Sequence, residues 1–271
     1  MKSIHHYLIL CFLFIGCGNS TPIEDPIPVH DTFTLNSKQV SEKRVINVWT
    51  PDNYKNSTDS LPVMYMADGG IKEDFPHIAN TIAQLIKDKS IPPMILVGIE
   101  NTQRRRDLTG PTQIEEDKKI APIVGGSAKF RAFINDELIP EINKRYRTSA
   151  KKGILGESLS GLFVMETLFT QPDMFDYYIA FDPSIWWNNH ELVRMAKENL
   201  KKLPTTEKRL WFAGSGAEDI NQYTNELAKI LKKDCPSNLK SNYSDEPKEE
   251  HSTIFRATKD KALKWTLGDN K

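Results

Sequence analysis

Residues 154–163 read "ILGESLSGLF" (Ile154–Phe163), with two serines two positions apart among glycines and an apolar run on either side. The run that leads in, "KGILG" (152–156), is short and almost wholly apolar, as in a strand buried on both faces. A strand that ends at Gly156 and a helix that begins near Leu159 leave only a sharp turn between them, and its neighbours must be small.

Similar short runs recur outward from this point: "RVINVWT" (44–50), "PVMYMA" (62–67), "PMILVGIE" (93–100), "YYIAFD" (177–182) and "RLWFAG" (209–214). Between them lie segments with apolar residues three and four apart, such as 128–146 and 220–233, which predict amphipathic helices. Strand and helix alternate, so the expected fold class is α/β, a mostly parallel central sheet with helices on both faces. Residues 101–127 show no period and many polar groups after a strand, and read as a functional loop. Residues 240–251 read as a last strand running into a polar loop.

The turn itself matches the nucleophile elbow G-x-S-x-G, with Ser160 where the second glycine usually stands and Gly161 directly after. The elbow lifts the Ser158 hydroxyl clear of the sheet; without partners, the same pattern is an ordinary strand-to-helix turn. A serine hydroxyl is a poor nucleophile near neutral pH and needs a base, which in turn needs an orienting acid. With this elbow the chain order is Ser, acid, His. Only His190 and His251 follow Ser158; His190 opens a helical run and reads as a solvated helix start, which leaves His251 as the base. For the acid, Glu218 beyond the strand "RLWFAG" ranks first, Asp219 second and Asp182 third. The plainer role of the Glu218–Asp219 pair is to cap the helix starting near Ile220. The oxyanion of an acyl-transfer intermediate needs two donors. The N–H of Leu159 is one and Gly70, in "MADGG", is the other, unless that stretch is a simple Asp-Gly turn.

The chain opens "MKSIHHYLILCFLFIGCGNS", one lysine before an apolar run too short for the ~20 residues of a membrane span. It reads as a secretory signal over residues 1–16, and Phe14–Cys17 resembles a lipobox, after which Cys17 would carry lipid and start the mature chain. Residues 17–29, polar and rich in proline, read as a tether, and 30–271 as one catalytic domain. The expected location is therefore outside the cytoplasm, lipid-anchored to a bacterial membrane. Cys235 is the only cysteine after Cys17, so no intrachain disulfide framework is expected. The 36 basic and 36 acidic residues balance, which argues against nucleic acid as a partner. No obligate protein partner is evident.

With the elbow, "PVMYMADGG", "GIENTQRRRDLTGP", "GGSAKFRAFINDELIPEINKRYRT", "GESLSGLFVMETLFTQPDMFDYYIAFDPSIWWN" and "EEHSTIF" together, residues 30–266 resemble the "Putative esterase" family of α/β-hydrolases, which includes siderophore esterases and esterase D. The resemblance implies the α/β-hydrolase fold, Ser158 as nucleophile, His251 as base, Glu218 in the acid position, and no metal or organic cofactor. Glu157, where relatives often carry His, and Ser160 depart from the family pattern. Trp186 and Trp187 are candidates to line a substrate pocket, against the alternative of core packing. Arg106, in an arginine run that is otherwise a solvated loop face, is a candidate to hold substrate. The expected activity is serine carboxylic-ester hydrolysis of a small-molecule ester, of siderophore type. The alternatives are a feruloyl or acetyl carbohydrate esterase, an acyltransferase, and a non-catalytic ligand-binding lipoprotein on the same scaffold.

Overall fold

The computed structural model describes residues 25–268. The export segment, Cys17 and most of the tether lie outside the described residues. Eight strands form a single sheet: β1 (Asp31–Asn36), β2 (Lys43–Trp49), β3 (Leu61–Met66), β4 (Ile95–Ile99), β5 (Thr148–Glu157), β6 (Tyr177–Phe181), β7 (Lys208–Ser215) and β8 (Leu239–Glu246). Their order is β1-β2-β4-β3-β5-β6-β7-β8; β1/β2 and β2/β4 pair antiparallel, and every pairing from β4 to β8 is parallel. The helices are α1 (Phe75–Lys87), α2 (Arg104–Leu108), α3 (Glu115–Ile120), α4 (Ser127–Ala132), α5 (Ile139–Arg145), α6 (Leu159–Thr170), α7 (Trp187–Arg194), α8 (Ala196–Leu200), α9 (Glu218–Asp234) and α10 (Ile254–Leu267).

Each strand's alternation deals its side chains to two cores. Val63, Tyr65, Ile154, Tyr178 and Ala180 join the core beneath α6, whereas Met64, Met66, Leu155 and Ile179 join the one beneath α1 and α10. A sheet covered on both faces needs apolar residues at every position, which is why these strands read as continuous runs. Helix α6 is central: ten of its twelve residues are buried. Helix α9 is amphipathic and buries Ile220, Thr224, Leu227 and Leu231 at helical spacing.

Two parts of the fold differ from the sequence expectation. Strand β1, "DTFTLN", is an edge strand of exposed and half-buried residues, too polar to stand out. The stretch 101–127 holds the short helices α2 and α3, which at five and six residues fall below the length at which periodicity is legible. The expected helix over 128–146 is present as α4 and α5 joined through a π-helical turn at Phe133–Leu138.

The loop after β4 is clamped by charge. Arg44, 1% exposed, pairs with Asp107 at 2.6 Å and Glu42 at 3.0 Å, and Arg106 reaches the same two carboxylates at 2.7 and 2.6 Å. The Arg106 guanidinium holds the Glu42 carboxyl down at about 2. After β6, residues Asn188, Asn189 and His190 take left-handed conformations in succession (φ 52°, 52° and 47°). That form is costly for residues with a Cβ. It is held by Asn188 N–H on Asp117 (2.9 Å), Arg194 on Asn189 O (3.0 Å) and the His190 ring stacked on Tyr223 at 4.7 Å.

At the end of β5, Gly156 leaves room for Ser160: a Cβ at 156 would overlap the Ser160 hydroxyl and stand 2.7 Å from its Cβ. Gly156→Ala is therefore expected to cost about 1–3 kcal/mol of stability, read as a lowered urea midpoint, and Ser160→Gly in the same chain should recover part of it. A Gly156→Ala protein as stable as the parent would contradict this packing.

Candidate active site

The parallel strands deliver their C-terminal ends to one edge, and there β3, β5 and β6 each hand over to a residue with positive φ: Asp68 (53°), Ser158 (59°) and Asp182 (43°). Such strain in residues with side chains gathers where function requires it. Ser158 is fixed from both sides. Its N–H donates to Phe181 O (3.0 Å), and its carbonyl accepts from Leu162 N–H (2.8 Å) as the first turn of α6 and from Ser184 N–H (3.0 Å). The N–H of Leu159, first in α6, makes no hydrogen bond among the described residues and lies at the positive end of that helix.

His251 stands in the turn before α10, and its Nε2 lies 3.1 Å from Ser158 Oγ. Its Nδ1 lies 2.6 Å from Asp182 Oδ2. Asp182 is fully buried, and the end of β7 satisfies its carboxylate. Ser215 N–H donates to Oδ1 (2.6 Å) and Ser215 Oγ–H to Oδ2 (2.8 Å). The carboxylate hydrogen bond raises the His251 pKa above its ordinary value, against the opposing effect of burial. A hydroxyl on an imidazole on a buried carboxylate is the arrangement that converts an alcohol into a nucleophile.

The carboxylate on His251 is thus Asp182, ranked third from the sequence, and not Glu218 or Asp219. Those two residues form the first turn of α9, where acidic side chains oppose the helix dipole. The reason lies in strand adjacency. β6 lies between β5 and β7, so the residue after β6 sits beside the elbow and can be braced by Ser215 on β7. Glu218 lies past Gly216 and Ala217, as the first residue of α9. Asp219 acts on His251 only through space, raising its pKa with Asp182 and Glu157.

Gly70 is placed differently from expectation as well. Its N–H already donates to Glu73 Oε2 (2.7 Å), and the same carboxylate accepts from Asn101 N–H at 3.4 Å. As an oxyanion donor, Gly70 would first have to release Glu73. Arg106 belongs to the Glu42–Asp107 clamp, where its guanidinium pairs with two carboxylates. Its neighbour Arg104 points to the catalytic edge, with Nε and Nη2 on Asp68 at 2.5 and 2.9 Å. The run "RRR" gave no signal to separate the two.

Trp187 is 5% exposed, and its Nε1–H donates to Gly110 O (3.2 Å), which makes it a wall of a cavity of about 230 Å³ shared with Leu162, Phe169 and Met195. Trp186 is half-buried, its ring centroid 5.9 Å from that of Trp187, and packs against the core beneath α6. His190 stacks on Tyr223 of α9. Among the described residues no group of three or more His, Cys, Asp or Glu is arranged to hold a metal ion, and no helix is long and apolar enough to cross a membrane.

Known proteins share both the sequence and the frame. Ferri-bacillibactin esterase BesA of Bacillus subtilis is 27% identical over 76% of this chain and 78% of its own. The siderophore triacetylfusarinine C esterase of Aspergillus fumigatus is 31% identical over 65% of this chain and 62% of its own. Among solved structures, an IroE-like serine hydrolase from Shewanella oneidensis superposes with a TM-score of 0.78 at 26% identity, covering 88% of this chain and 79% of that one. The BES protein from Bacillus cereus gives the same TM-score at 24% identity over 88% and 96%, a likeness of fold. Residues 37–266 match the family described as "Putative esterase", so the chain belongs to that family and is a carboxylic ester hydrolase of α/β-hydrolase fold.

Proposed function

We propose that the chain is a serine esterase in which Ser158 is the nucleophile, His251 the general base and then acid, and Asp182 the orienting carboxylate, and that its substrate is a siderophore-type ester. The observation that carries the reading is the hydrogen-bonded chain from Ser158 Oγ through both nitrogens of His251 to Asp182. The substrate class is supported by the relatives named for esterase activity on siderophores.

In this mechanism Ser158 Oγ bonds to the ester carbonyl carbon as its proton passes to His251 Nε2. The carbonyl oxygen becomes an oxyanion aimed at the Leu159 N–H. Collapse breaks the carbon–oxygen bond to the alcohol, and the His251 proton goes to that leaving oxygen. Water then gives a proton to His251 and a hydroxyl to the acyl carbon; Ser158 leaves, takes the proton back, and the free acid departs. Asp182 stays ionised throughout and stabilises the imidazolium. The second oxyanion donor is Gly70 N–H once Glu73 swings away. The signal over residues 1–16 and the lipid at Cys17 complete the reading as an anchored, exported enzyme; Cys17→Ser should move the protein from the membrane fraction to the soluble one.

Ser158→Ala should lower kcat on a p-nitrophenyl ester by ~10⁴-fold or more with folding intact. Asp182→Asn should cost about as much, whereas Glu218→Gln should stay within a few-fold of the parent. A large loss in Glu218→Gln with an active Asp182→Asn would reverse the assignment of the acid.

His251 must be neutral to accept a proton, and its pKa is raised, so a higher pH is needed to deprotonate it. The acidic limb of kcat/KM against pH should therefore lie above the ordinary imidazole value of about 6.5. A limb at or below that value would remove the role given to Asp182.

A further inference from the structure

Glu157 is the last residue of β5 and directly precedes Ser158. The chemistry above does not use it. Its side chain is half-buried and its carboxyl makes no hydrogen bond or ion pair among the described residues. The charged groups that act on it come from every element around the nucleophile. Asp68 and Asp74 lie in the β3–α1 loop, Asp182 follows β6, and His251 precedes α10. Arg104 of α2 and Arg256 of α10 feel it in return.

Each cation among these already has an anion. Arg104 is on Asp68 at 2.5 Å, Arg256 on Asp25 at 2.5 Å and His251 on Asp182 at 2.6 Å. Further back, His77 is on Asp74 at 3.1 Å, with Lys259 leaning on the His77 ring at 3.5 Å. Glu157 is the carboxyl left over, one peptide from the attacking hydroxyl.

We propose that Glu157 sets the charge preference of the site, favouring esters that are neutral or positively charged near the scissile bond and rejecting anionic ones. The inference rests on Ser158 as the nucleophile and narrows the substrate class proposed above: among siderophore-type esters it selects those without net negative charge on the part that enters beside residue 157. Burial, then the neighbouring Asp74, push the Glu157 carboxyl up to about 8. Near pH 7 it is mostly protonated and neutral, and above pH 8 it becomes a fixed negative charge. The preference therefore sharpens as pH rises through that range. A unit charge a few ångströms from the substrate's own, in a partly buried site, changes relative rates by about tenfold or more.

The test uses the purified domain and three p-nitrophenyl esters of similar size: butyrate (neutral), 4-(trimethylammonio)butyrate (cationic) and hemisuccinate (anionic). The two charged acyl groups keep their charge between pH 7 and 9. In the parent, the ratio of kcat/KM for the cationic over the anionic ester should rise by about tenfold from pH 7 to pH 9. Glu157→Gln should hold that ratio flat, and Glu157→Asp, which keeps the charge, should retain a rise. A flat ratio in the parent overturns the proposal, as does an undiminished rise in Glu157→Gln, or loss of all three rates in a Glu157→Gln protein that circular dichroism shows to be folded. Should Glu157→Gln fail to fold, the parent and Glu157→Asp ratios decide. If Ser158→Ala still cleaves the neutral ester at the parent rate, the nucleophile assignment fails instead, a result distinct from any of these.

Discussion

The turn at residues 156–161 is the constraint on which the molecule depends. The chain must pass from a strand buried on both faces into a helix buried on nearly all sides, with one residue between them held at φ 59°. The turn is possible because Gly156 carries no Cβ and Ser160 and Gly161 are small enough to lie against it and against Phe181 and Pro183. The same tightness projects the Ser158 side chain off the sheet and leaves the Leu159 N–H unbonded at the head of α6. Backbone strain, close packing and the donor for a developing negative charge are thus parts of one local geometry.

Around that turn the sheet brings together residues far apart in sequence. His251 meets Ser158 across 93 positions and Asp182 across 69. Neither distance is set by local structure; both follow from the placing of β6 between β5 and β7 and from α10 packing against those strands from below. Ser215 bonds both oxygens of Asp182, so the carboxylate is held by a strand it does not belong to. Burial at zero exposure is tolerable for that charge because three hydrogen bonds, two from Ser215 and one from His251, reach its two oxygens.

Much of this was legible in the sequence because the central strands are apolar at every position and the elbow combines a fixed spacing with small residues. The chain order of serine and histidine left two histidines for the base, the helical run after His190 set that one aside, and the structure sets the ring of His251 against the Ser158 hydroxyl. The acid was harder. Glu218 and Asp182 each follow a strand, and no local signal tells which strand end lies beside the elbow; strand order does, and strand order is a tertiary property. The contacts that Gly70 makes with Glu73, and Arg106 with Glu42 and Asp107, were illegible for a related reason, since the motifs do not encode them. Strand β1 was missed because an exposed edge needs little hydrophobicity.

The three successive left-handed residues at 188–190 bear on how the chain assembles. An isolated peptide of that sequence overwhelmingly prefers right-handed or extended forms, at a difference of roughly 1–2 kcal/mol per residue. What reverses the preference comes from elsewhere: Asp117 from the loop after β4, and Tyr223 from α9. The corner carrying Trp186 and Trp187 therefore owes its shape to segments both before and after it in the chain, and a change at Asp117 or Tyr223 reaches it without touching either tryptophan.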